Sequence, residues 1–299
     1  MFEDRPRAKV NLTLGVVGRR PDGYHELRSI FLRIGLSDRL TVAPRGVNGS
    51  DTLTIEGLPG VPTRDNLVTN ALKAMRARVE VSLPALDVNL EKGIPAAAGL
   101  GGGSSDCASA IKLAQACWGV GLSTQEELAL GAELGSDVPF FLADVQAAVI
   151  EGRGERVTPL PEATDVGILL VTPPTALSTA RVFARYDDLA VEPPLSALTD
   201  VDTRRLVEAA ERLRDANDLW PAAASLEPSL IGLRAELEAQ TSRPWMMSGS
   251  GPTLFALYPS VKEAAQAGQV LLASQSVASD GALINAVDLV GPEPAWRHP

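Results

Sequence analysis

The chain is poor in the residues that build metal centres and disulfide scaffolds. Among 299 residues there are two cysteines, Cys107 and Cys117, and two histidines, His25 and His298. The cysteines fall in one stretch of helical spacing. Ten residues of helix separate them by about 15 Å, too far for a disulfide. So few ligands exclude a zinc site, and no metal-ligating residue is assigned. Positive charge is scarce too, with 27 Lys and Arg against 37 Asp and Glu, a net charge of −10. That balance argues against nucleic acid or an anionic membrane as partner. No apolar run approaches the ~20 residues of a membrane span. The first residues, Met1 to Arg7, are charged and lack the apolar core of a signal peptide, so a cytoplasmic protein is expected. No Gly-Lys-Ser/Thr phosphate loop occurs, and the third glycine of a dinucleotide fingerprint is replaced by Ser104.

What is present is glycine, concentrated in Pro95-Ala96-Ala97-Ala98-Gly99-Leu100-Gly101-Gly102-Gly103-Ser104-Ser105-Asp106. Leu86 to Leu90 before it alternates apolar and polar, as a strand does. Cys107 to Trp118 after it is alanine-rich, with Gly119 as the stop. The order is strand, glycine loop, helix. A helix start offers unpaired amides and partial positive charge. Glycine lets that backbone approach a ligand closely. Four glycines and two serines exceed what a turn needs, so the stretch reads as a phosphate cradle.

Elsewhere single residues stay open on local sequence. Lys9 and Asn11 share one face of a strand that alternates from Val10, where Lys9 suits a solvated strand end. Tyr24 and His25 follow a Pro-Asp-Gly turn; they suit a planar ligand, or a half-buried pair in a loop. Lys92 precedes the glycine loop and either favours phosphates or is solvated. Asp137, between Gly135 and Val138-Pro139-Phe140-Phe141, is a helix cap or a carboxylate kept from water. Ser123 and Glu126 form a capping-box pattern. Asp65 or Asn66 caps a helix over 68–79. Residues 217–221 are expected to end a helix over 204–214. A loop is expected over 189–203, and a frayed tail after Gly291. The polar, proline-marked segment near 160 predicts two domains, 1–160 and 161–299.

Five stretches resemble one family. Pro95 to Ser105 is similar to the P-x-x-x-G-L-G-x-G-S-S loop of the GHMP kinases, and Ser248-Gly249-Ser250-Gly251 to their C-terminal glycine motif. Lys9-Val10-Asn11-Leu12, Asp22-Gly23-Tyr24-His25-Glu26-Leu27 and Gly135-Ser136-Asp137-Val138-Pro139-Phe140-Phe141 resemble the branch that acts on a cytidine diphosphate-linked methylerythritol in the non-mevalonate isoprenoid pathway. The likeness runs from about residue 7 to residue 289.

The resemblance implies an α+β fold, with an ATP-binding catalytic domain over 1–160 like the second domain of ribosomal protein S5 and a substrate-binding ferredoxin-like βαβ sandwich over 161–299. It implies ATP and Mg²⁺ as cofactors, a small-molecule substrate, and a monomer or weak homodimer. It implies that Asp137 is the base and Lys9 the charge stabiliser. Pro95, Ala96, Ala97, Ala98, Gly99, Leu100, Gly101, Gly102, Gly103, Ser104 and Ser105, with Asn66 and Lys92, match nucleotide positions. Asn11, Tyr24, His25, Thr179 and Phe183 match substrate positions, Tyr24 and Phe183 by stacking on cytosine and His25 by reading its edge. Another GHMP-type kinase, such as a homoserine kinase, and a nucleotide-binding regulator without turnover are the alternatives.

Overall fold

The computed structural model describes residues 1–46, 49–58, 63, 66–79, 83–189, 201–274 and 281–291. Asp65, the loop stretch 190–200 and the tail after Gly291 lie outside the described residues.

Among the described residues, three four-stranded sheets organise the fold. The first orders β1 (Phe2–Asp4), β4 (Arg39–Gly46), β6 (Ala85–Glu91) and β5 (Thr52–Glu56), with β5 parallel to β6. The second orders β2 (Arg7–Arg19), β3 (His25–Ser37), β7 (Ala147–Gly152) and β8 (Arg156–Pro159), all antiparallel. The third orders β10 (Met246–Met247), β11 (Leu254–Tyr258), β9 (Gly167–Thr172) and β12 (Leu283–Asp288), again antiparallel. Numbered within the second half, that order is 2-3-1-4, as a ferredoxin-like βαβ sandwich requires.

Helices cover the sheets. α1 (Leu67–Arg78), α2 (Gly102–Trp118), α3 (Thr124–Leu134) and α4 (Val138–Leu142) share one core with the first sheet, around Leu72, Leu86, Leu90, Ile111 and Phe140. A second core lies between the other two sheets, where Val10, Leu12, Ile30 and Leu32 meet Ile168, Leu170 and Phe255. A third unites Leu169, Val171, Leu254 and Trp245 with α5 (Thr179–Leu189), α7 (Trp220–Leu226), α8 (Ser229–Thr241) and α9 (Val261–Ala273). β9 therefore feeds a core on each face, which is why its sequence is a continuous apolar run.

Local chemistry sets several boundaries. The Ser123 hydroxyl accepts the Glu126 amide, and Glu126 accepts the Ser123 amide in return, so the capping box forms. Asn66 caps α1 by accepting the Val68 amide at 2.9 Å. Gly119 ends α2 in the left-handed region.

Three expectations need correction. α2 begins at Gly102 rather than near Cys107, so two of the four glycines of the stretch are already helical. The polar face of β2 is not solvated: Lys9, Asn11 and Thr13 are all buried. The stretch 217–221 does not simply end a helix. A 3-10 turn (Thr203–Arg205) and α6 (Leu206–Leu213) precede it, and α7 starts within it, with Pro221 in the first turn where its missing amide costs nothing. Asn217 and Asp218 between them pair with the β2 backbone at Leu14 and Val16.

Candidate active site

One cavity of about 950 Å³ runs between the glycine loop and the start of α5. Its floor is β2. The Lys9 amide donates to the Leu100 carbonyl at 2.9 Å, which ties the loop to the strand. Gly99 and Gly101 hold φ values of +76° and +70°, which side chains resist. A Cβ on Gly99 would lie 2.2 Å from the Ser248 carbonyl oxygen. The loop thus needs glycine for both conformation and space. Gly101 offers no capping side chain, so the first amides of α2 remain available to an anion.

The second glycine motif holds the first. Ser248 Oγ donates to the Gly99 carbonyl at 2.9 Å and accepts the Asn11 amide at 3.3 Å. Asn217 Nδ2 donates to the carbonyls of Met247 and Gly249 at 2.8 and 2.9 Å. Sequence reading missed Asn217; its neighbours signal only a turn.

At the loop, Lys9 Nζ stands 3.4 Å from Asp137 Oδ2, donates to Asn11 Oδ1 at 2.6 Å, and lies 4.5 Å from the centre of the Phe31 ring. Asn11 Nδ2 in turn donates to Ser29 Oγ at 3.0 Å. Asp137 occupies the cap position of α4 yet makes no capping hydrogen bond, so its carboxylate is left for the cavity. The local alternative, a helix-capping aspartate, is therefore set aside.

Lys92 is neither solvated nor free for phosphate. Its ammonium, almost fully buried, bonds to Asp38 and, at 2.7 Å, to Asp106 Oδ2. Burial pulls its pKa down, but the charges of Asp106 and Asp38 outweigh this and hold it above the ordinary value. Asp38 also accepts the Gly93 and Ile94 amides at 2.6 and 2.8 Å, fixing the entry to the loop. Burial, with the Asp38 carboxylate nearby, pushes the Asp106 carboxyl up to about 8 against the pull of Lys92. Its Oδ1 is buried without a partner. Asp38 was not expected from sequence, since Ser37-Asp38 reads as a strand break.

At the far end His25 opens β3 rather than sitting in a loop. Its ring stacks on Phe183, centroids 4.8 Å apart at 21°, and not on Tyr24. Its Nε2 lies 2.7 Å from Asp187 Oδ1. Tyr24 is 54% exposed and lines the cavity. Thr179 Oγ1 is 2.9 Å from Ser250 Oγ. Residues 95–104, Asn66 and Lys92 line the loop end; Ser105 is buried inside α2 and does not.

Comparison with known proteins bears on this arrangement. The GHMP kinases N terminal domain matches residues 66–145, and the GHMP kinases C terminal domain matches residues 197–275. A 4-diphosphocytidyl-2-C-methyl-D-erythritol kinase of Pelotomaculum thermopropionicum is 38% identical over 267 residues, covering 87% of this chain and 90% of that protein. The chain belongs to the 4-diphosphocytidyl-2-C-methyl-D-erythritol kinases. A crystal structure of a 4-(cytidine 5'-diphospho)-2C-methyl-D-erythritol kinase is similar with a TM-score of 0.71 and 32% identity, covering 96% of this chain and 99% of that one. A homoserine kinase from Cytophaga hutchinsonii has a TM-score of 0.67 at 15% identity over 95% of each chain, a likeness of fold alone. As a GHMP kinase, the chain is a small-molecule kinase. Among the described residues no helix is long and apolar enough to cross a membrane.

Proposed function

We propose that the chain transfers the γ-phosphoryl group of ATP to the 2-hydroxyl of 4-diphosphocytidyl-2-C-methyl-D-erythritol, a step of the non-mevalonate isoprenoid pathway. The observation that carries this reading is the 3.4 Å pair of Lys9 and Asp137 beside uncapped helix amides. Phosphoryl transfer asks mainly for positioning and charge neutralisation, with a base for the attacking hydroxyl. Asp137 takes the hydroxyl proton. Lys9, held by Asn11, stabilises the developing alkoxide. The amides of residues 101–104 bind the phosphates of ATP. His25, Phe183 and Tyr24 receive the cytosine, where stacking is worth about 1–3 kcal/mol.

Mg²⁺ binds through one or two carboxylates and otherwise through phosphate and water. Asp137 and the Ser104 hydroxyl fit that donor set, whereas Asp106 is committed to Lys92. When bound, the ion neutralises phosphate charge.

The test is ADP release from ATP and Mg²⁺ with and without the cytidine diphosphate alcohol. Release that depends on the alcohol, with a phosphorylated product by mass, is expected. Release driven by homoserine instead would favour another GHMP-type kinase. ATP binding with no transfer to any alcohol would leave a regulator.

A further inference from the structure

Among the described residues four Lys and Arg side chains line the cavity, and three of them have a carboxylate. Lys9 has Asp137, Lys92 has Asp38 and Asp106, and Arg19 lies 3.6 Å from Asp187. The fourth is Arg153. Among the described residues no carboxylate lies within ion-pair distance of its guanidinium. Its Nη2 donates to the Ala132 carbonyl at 2.8 Å, and the guanidinium stands 5.1 Å from the centre of the Tyr24 ring. Both contacts fix the side chain, and neither neutralises it.

The position matters as much as the charge. Gly154, the next residue, holds φ +135°, and a Cβ there would lie 1.9 Å from the Ser136 carbonyl oxygen. The turn carrying Arg153 is therefore pressed against the residue before Asp137. Arg153 spans from the neighbourhood of Asp137 to Tyr24. Those are the two ends of the substrate in the function proposed above, on which this inference rests. The acceptor hydroxyl is at one end and the base at the other, with two phosphates joining them. A diphosphate entering a chain of net charge −10 needs a local cation. A guanidinium suits phosphate because its donors form a planar fork.

We infer that Arg153 binds the diphosphate bridge of the substrate, with Tyr24 holding its guanidinium in place beforehand. A residue that only braced Tyr24 would act on the base and be indifferent to the phosphates. CDP and cytidine separate the two roles.

Calorimetric titrations of both ligands, with the ATP site filled by a non-hydrolysable ATP analogue, make the test. Wild type is expected to bind CDP about 10- to 100-fold more tightly than cytidine, the worth of a charge-assisted hydrogen bond or two. Arg153→Ala should lose that margin while cytidine and the ATP analogue bind as before. Arg153→Lys should regain part of it. A variant Arg153→Ala that keeps the margin, or that weakens CDP and cytidine equally, overturns the inference and leaves the proposed substrate standing. Wild type that turns to neither ligand removes the proposed substrate, and this role of Arg153 with it.

Discussion

A Cβ placed on Gly101 would lie 3.0 Å from Lys9 Cγ and 3.1 Å from Lys9 Cε. The phosphate loop and the candidate catalytic lysine are thus built against each other. Gly101→Ala should strain the left-handed backbone by about 1–2 kcal/mol. It should also displace Lys9, and misplacement of about 1 Å can cost on the order of 10²-fold in rate. Turnover is expected to fall far more than the melting temperature. Equal turnover in the variant and wild type would show that the Lys9 side chain has room to give.

Asp137→Asn should lower turnover by about 10²–10⁴-fold, the usual worth of a general base. Stability should fall less than activity: Asp137 caps no helix amide, but the buried Lys9 ammonium loses its carboxylate. Lys9→Ala removes a buried cation and leaves Asn11 Oδ1 without its donor, so it should cost stability as well as rate. Steady-state kinetics beside thermal melts separate the two. Full activity in either variant rejects the proposed chemistry.

Ser248→Ala leaves the Gly99 carbonyl and the Asn11 amide without the hydroxyl that joins them. A cost of about 1–3 kcal/mol is expected from unsatisfied buried groups. The nucleotide KM should rise more than turnover falls, since the loop that moves is the one that holds phosphate. A change in turnover alone would place the clamp elsewhere.

Asp106 sets a pH dependence of stability. Its folded pKa, pushed up to about 8, stands above the ordinary carboxylate value of roughly 4. The folded state therefore holds a proton that the unfolded state has lost. Its contribution is complete below about pH 4 and declines as pH rises through about 8, by at most roughly 1.4 kcal/mol per pH unit. Asp106→Asn keeps the neutral form and should flatten the urea midpoint between pH 5 and 8. Identical pH profiles for the two proteins would mean that Asp106 does not carry the proton.

Local chemistry was legible in the sequence where one segment suffices to fix it. The capping box at Ser123 and Glu126, the stop at Gly119, the turn before Tyr24 and the strand–glycine–helix order all depend on neighbours in the chain. The family motifs were equally readable, because each is a run of a few residues. The start of α2 is not legible because glycine is a poor helix former by propensity, whereas in the fold Gly101 and Gly102 sit where a Cβ would crowd Lys9 and Ile94.

The amino-acid order by itself determined most of the strands and helices, though not α7, and that a phosphate cradle is among them. Tertiary structure alone decided that the polar face of β2 is an interior wall, that Lys92 is spoken for by Asp38 and Asp106, and that His25 lies on Phe183. It also brought Lys9 to Asp137. Periodicity reports that a face is polar but not what covers it, and charges distant in the chain interact only once packing has excluded the water between them.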